Sequence, residues 1–214
     1  GLWARGTLIV TGLLVLFLVT PFGRTLHEDH NALGEQKAPL SPELGRDAMS
    51  RHPVDYLAVA YVAAALYEEG GLSAKRLLNH ALILHPTHPG LHRLAGRILL
   101  RSGNRRQALV EYRLAIAAQV NPVAVLRELV QRFPQADDAI VALPLDHPSP
   151  RRVGRVLADE ERGDLAVRYL VKVVEARPPE VQTLKLLAEI AGQRKDHAAI
   201  ELATRHLAAI EHTQ

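Results

Sequence analysis

Apolar and polar positions divide the chain into three stretches. Residues 6–23 (GTLIVTGLLVLFLVTPFG) are largely apolar and carry no charge, with Arg5 and Arg24 on either side. Residues 24–41 (RTLHEDHNALGEQKAPLS) are polar, hold Gly34 and Pro39, and show no apolar period. From residue 42 onward apolar side chains recur at three- and four-residue spacing, which predicts helices that each bury one face.

The first stretch predicts a transmembrane helix within residues 1–23. As a helix, 6–23 reaches roughly 27 Å, close to a hydrocarbon core of about 30 Å. Trp3 and Phe22 lie near its ends, where interfacial aromatics belong, and Pro21 falls in its last turn. A signal peptide is one alternative, but no small-residue cleavage pattern follows; a buried soluble helix is the other. One arginine on each flank leaves orientation open. Residues 24–52 are expected to form a linker and a short helix. Ser41 as cap, Pro42 at the first helical position and Glu43 behind it mark its start. It should end near Arg51, before Pro53.

Self-comparison organises residues 53–214. With Asp55 and Pro89 as first positions of successive units, Val62 aligns with Gly96, Ala65 with Leu99, Ala74 with Ala108, Leu78 with Tyr112 and Ala81 with Ala115. With His147 as a first position, Gly154, Leu157, Ala166, Leu170 and Val173 take the same places, and Pro178 ends the unit. Small residues let two antiparallel helices approach, large apolar ones fill the space between them, and proline closes the second helix. Gly70-Gly71 and Gly103-Asn104 supply the turns inside the hairpins. Units are thus expected at 55–88, 89–122, 147–180 and, in degenerate form, 181–214. Residues 123–146 form a truncated unit interrupted by Pro134 and Pro144. The second helix of the last unit, from about His197 to Glu211, would cap the stack.

This small–large pattern and its period of about 34 residues resemble the tetratricopeptide repeat, and residues 89–122 carry the likeness best. The resemblance implies an all-α solenoid of helical hairpins, in which no hairpin buries its apolar face alone. The family's bulky aromatic at the fourth position is replaced by Ala58, His92 and Pro150.

Composition narrows the function classes. Aromatic residues make up 4% and hydrophobic residues 48%, a core built mainly from strong helix formers. Twenty-six basic against 23 acidic residues is too even to imply nucleic acid. There is no cysteine, which excludes disulfides and Cys-based zinc sites. No nucleophile elbow, phosphate loop or dinucleotide motif occurs, so the chain is expected not to be an enzyme, and to carry no cofactor and no metal. His27, Glu28, Asp29, His30 and His52 are metal-ligand types, but as part of a linker they read as a solvated tether. His80, His85, His88 and His92 read as inter-repeat histidines. Asp137-Asp138 and Glu160-Glu161 read as helix-surface charge.

One constellation stands out. By resemblance to the family, the fifth, ninth, twelfth and thirteenth positions of each unit point into a concave groove. In the second unit these are Arg93, Arg97, Leu100 and Arg101, with the arginines on one helical stripe. Arg151 and Arg155 follow in the unit starting at His147. Val59, Ala63, Leu66 and Tyr67 make the first unit's share apolar. Guanidinium forks suit carboxylates and phosphates. The expected partner is therefore a protein, with an acidic segment, an anionic glycan or a lipid head group as the matching chemistry. The plainer reading is a solvated face with local partners such as Asp159 and Glu111. The Asn/Lys carboxylate-clamp pattern known in the family is absent.

Three functional readings follow. The chain is a membrane-anchored interaction scaffold of a bacterial cell-envelope complex, with its repeats in the periplasm of a Gram-negative cell. Alternatively it is the tail of a larger polytopic glycan ligase or polymerase. Its start at Gly1 favours that alternative, as does a weak resemblance of RHPVDYLAVAYVAAAL and LNHALILHPTHP to tails of O-antigen ligase-like proteins. A soluble adaptor with an N-terminal docking helix is a third.

Overall fold

The computed structural model describes residues 28, 29, 31–33, 40–70, 73–178 and 180–212. These form helices and turns and no strand. The proposed membrane span, 6–23, lies outside the described residues; among those described, no helix is long and apolar enough to cross a membrane. The chain divides into two compact units, residues 1–86 and 87–214.

In the first unit, α1 (Pro42–Arg51), α2 (Tyr56–Glu68) and α3 (Ala74–Leu84) follow one another. Ser41 caps α1 by accepting from the Leu44 amide, and Asp55 caps α2 by accepting from the Leu57 amide. Gly45 brings α1 close to α2, since a Cβ there would lie 2.7 Å from Tyr61 and Val62. Val62, Ala65, Ala74, Leu78 and Ala81, the residues picked by the repeat pattern, are all buried. The stretch read as a linker differs from expectation. Residues 28–29 and 31–33 are helical, and Leu33 is buried in one cluster with Ala48 and Ala58. Asp29 accepts from Arg51 Nη2 at 2.6 Å and Nε at 2.9 Å. That carboxylate is an anchor on α1, not part of a solvated tether.

The second unit begins with the hairpin α4 (Pro89–Arg101) and α5 (Arg105–Ala117). It continues through α6 (Val123–Arg132), the single turn α7 (Ala136–Ala139) and a 3₁₀ turn, Ile140–Ala142. The hairpins α8 (Pro150–Asp159) with α9 (Gly163–Ala176), and α10 (Val181–Arg194) with α11 (His197–Glu211), complete it. The small–large contacts fall as the pattern requires. A Cβ on Gly96 would lie 2.9 Å from the Tyr112 ring, and one on Gly154 would lie 2.9 Å from Leu170. Leu99, Ala108, Ala115, Leu157, Ala166 and Val173 are buried around them. The second unit is therefore built of helical hairpins of tetratricopeptide-like type.

The truncated unit has a physical cause. Pro134 cannot continue α6, and Phe133 turns inward, fully buried and edge-on to Tyr112 at 5.9 Å. Tyr169 Oη donates to the Pro144 carbonyl at 3.1 Å, which fixes the return. His147 is buried between repeats: Nε2 lies 2.9 Å from the Gln119 carbonyl, and Nδ1 accepts from the Ser149 amide. At the far end, α11 buries Ala199 and Ala203 and exposes Glu201, Thr204 and Arg205, a polar outer face suited to a cap.

Candidate functional site

The arginine stripe of α4 meets an acid from the next repeat. Glu128, on α6, is 7% exposed. Its Oε2 accepts from Arg93 Nε and Arg97 Nη2, both at 2.6 Å. Its Oε1 accepts from Arg97 Nε at 2.6 Å, Tyr112 Oη at 2.8 Å and Arg132 Nε at 3.1 Å. Burial alone would push this carboxyl's pKa up. Hydrogen bonds from Arg97, Arg93 and Tyr112 outweigh burial and hold it at about 2. Burial, with the Glu128 charge beside it, pushes the Tyr112 phenol up. The cluster is thus an ionised buried carboxylate that fixes three guanidinium groups.

A groove of about 380 Å³ opens over this cluster, lined by Arg93, Arg97, Arg127, Gln131 and Arg132 with Ala124 and Glu128. The arginines remain partly exposed, from 32% at Arg93 to 55% at Arg127. Arg127 in turn donates to Glu160 at 2.7 Å. Four guanidinium groups therefore meet two carboxylates, leaving a positive excess at the rim.

The same construction recurs along the second unit. Arg155 on α8 donates to both oxygens of Glu189 on α10, at 2.7 and 2.9 Å. Glu189 lies 34 residues after Arg155, Glu160 lies 33 after Arg127, and Glu128 lies 35 and 31 after Arg93 and Arg97. Each arginine reaches about one repeat forward. Arg155 pairs with Glu189, and Glu111 is held by His92 at 2.7 Å.

The predicted residues separate into distinct places. Arg93 and Arg97 share the Glu128 cluster, and Arg101 is exposed at the end of α4. Arg151 and Arg155 line a second cavity of about 430 Å³ with Arg152, Ser149 and Glu180. Tyr67 belongs to the first unit and is half-buried. Val59 and Ala63, expected on an open apolar face, are buried instead. His88 caps α4 by accepting from the Leu91 amide, and His92 is a buried residue within that helix, not an inter-repeat one. Asp138 pairs with Arg105 and Asp137 with Arg168, while Glu161 leaves its helix for a turn. Among the described residues no three potential metal ligands come together.

No protein-family model and no curated protein matches the chain. Solved structures similar to it include that of MamA, at 11% identity and a TM-score of 0.39, covering 80% of this chain and 88% of that one. YrrB, a TPR protein with an unusual peptide-binding site, shows 15% identity and a TM-score of 0.39 over 78% and 93% of the two chains. PilF of Pseudomonas aeruginosa shows 17% identity and a TM-score of 0.36 over 78% and 77%. The fold assignment rests on the hairpins themselves.

Proposed function

We propose that this chain is a protein-interaction scaffold, anchored to a membrane through residues 6–23, whose arginine-bearing repeats hold an acidic segment of a partner in a bacterial cell-envelope complex. The observation that carries this reading is the groove over Glu128, where guanidinium groups outnumber carboxylates on the first helices of adjoining repeats. Arginine forks bind carboxylates with directional, charge-assisted hydrogen bonds. In this reading the chain itself performs no chemistry: it raises a partner's local concentration at the membrane. The repeats then stand in the periplasm of a Gram-negative cell.

The test is site-specific photo-crosslinking in native membranes. A crosslinking residue at Gln131, inside the groove, should give discrete protein adducts, and one at exposed Arg113 on α5 should not. Equal labelling from both positions would refute the groove. Carbonate washing should leave the chain in the membrane fraction and detergent should release it; release by carbonate would refute the anchor.

A further inference from the structure

Charge reversal along the α4 stripe would be a poor probe of the groove, because Arg93 and Arg97 also hold the buried Glu128. Arg93, Arg127 and Arg132 each engage an acid through Nε. Their Nη groups bond to nothing else among the described residues, and all three side chains are at least 32% exposed. The inner acceptor is saturated: the two oxygens of Glu128 receive five donors. Glu128 therefore has nothing to offer a ligand directly, but it fixes where the Arg93, Arg97 and Arg132 guanidinium planes lie.

We infer that the outer Nη groups of Arg93, Arg127 and Arg132 form a cradle for the carboxylates of an acidic peptide, with Glu128 as the positioning residue that orders Arg93 and Arg132, while Glu160 holds Arg127. This rests on the acidic-partner reading above. Three features select a run of carboxylates over a phosphate group. The excess positive charge is spread over separate forks, not focused at one point. An anionic floor repels a compact dianion more than singly charged groups held at the rim. Gln131 adds an amide able to pair with a peptide backbone.

Removing the charge of Glu128 makes the groove more positive, so simple attraction predicts tighter binding of an acidic peptide. Positioning predicts weaker binding, since freed arginines must be ordered again when the ligand arrives.

Fluorescence anisotropy of the full chain with a labelled octaglutamate peptide separates the two. Glu128→Gln should weaken binding by about tenfold, equivalent to one charge-assisted contact, despite its added positive charge. Arg132→Gln, at the partly exposed edge of the cluster, should weaken binding several-fold while the thermal midpoint stays near that of the parent. It keeps the test informative if Glu128→Gln folds poorly. Equal or tighter binding by a folded Glu128→Gln, or unchanged binding by Arg132→Gln, would overturn the positioning role and the cradle respectively. Failure of the parent chain to bind octaglutamate at low salt, or preference for a phosphoserine peptide of equal charge, would overturn the acidic-partner reading and the inference with it.

Discussion

The repeats that begin at Pro89 and His147 carry arginines at the same places, yet the two pairs live in different electrostatic worlds. Arg93 and Arg97 converge on a carboxylate whose side chain is 8% exposed, together with Arg132 and the Tyr112 hydroxyl. Arg155 meets Glu189 at a site where both side chains are nearly half exposed, and its neighbour Arg151 is exposed. The helix pattern is the same; the acid one repeat later differs in depth. An arginine stripe thus acquires its meaning from the following repeat. Over a buried acid it becomes a fixed cluster, and over an exposed one it remains a solvated pair.

The strongest way to break this comparison is to remove the two acids in turn. Glu128→Ala leaves three guanidinium groups and a buried phenol without their common acceptor. It should cost about 3–5 kcal/mol, the range for breaking a buried pair on one side. Glu189→Ala should cost far less, as for exposed pairs. Urea unfolding of both variants checks the contrast, and equal losses would show that burial does not separate the two sites.

Acid titration probes the same difference without mutation. The folded pKa of Glu128, about 2, lies below its ordinary carboxylate value of 4.5. The folded state therefore favours the charged form. The resulting stability is fully present above the ordinary value and is lost as pH falls toward 2. The shift corresponds to about 3 kcal/mol. In unfolding measured between pH 6 and pH 2, Glu128→Gln should show a correspondingly shallower loss of stability. Glu189 is also lowered, by its hydrogen bond from Arg155, but it is solvent-exposed. Glu189→Gln should leave the acid limb of the parent nearly intact.

In the packing of their hairpins the two repeats agree. Gly96 faces Tyr112, and Gly154 faces Leu170, each with no room for a Cβ. Gly96→Leu and Gly154→Leu should each destabilise by about 1–3 kcal/mol through overpacking. Gly192, with nothing within 4 Å of its added Cβ, should accept alanine without loss. A melting temperature unmoved by Gly96→Leu would mean that the helix register is wrong.

Much of this was legible in residues and spacing. Ser41-Pro42-Glu43 marks the start of α1, and the alignment of Gly96 with Gly154 identifies the close helix crossings. Pro134 and Pro144 mark the truncated unit. The arginine stripe was legible as a stripe, but its partners were not. Glu128 sits among Val125, Leu126 and Leu129, and helical spacing alone does not say that an acid in that run is buried. The useful signal was the recurrence of an acid about one repeat after each arginine: Glu128 after Arg93, Glu160 after Arg127, Glu189 after Arg155. The Asp29–Arg51 contact gave no periodic signal, because it joins a short polar segment to a helix through side chains alone.

The smallest difference between the two repeats lies in their turns. Gly103 closes the α4–α5 hairpin at φ +77°, in the left-handed region where glycine has no Cβ to clash. Glu161 closes the α8–α9 hairpin at φ 61°, and Lys195 closes the α10–α11 hairpin at φ 59°. A residue with a side chain pays about 1–2 kcal/mol to adopt that conformation. Glycine relieves this strain but gains conformational freedom in the unfolded chain, which offsets part of the benefit. Neither Glu161 nor Lys195 forms an ion pair or side-chain hydrogen bond among the described residues, so little compensating contact is lost. Glu161→Gly and Lys195→Gly should therefore each stabilise by about 0.5–1 kcal/mol. The reverse change, Gly103→Glu, should destabilise by a similar amount. Thermal melts of the three single variants decide the matter. A fall in midpoint for Glu161→Gly would mean that this side chain contributes through its charge more than its backbone conformation costs.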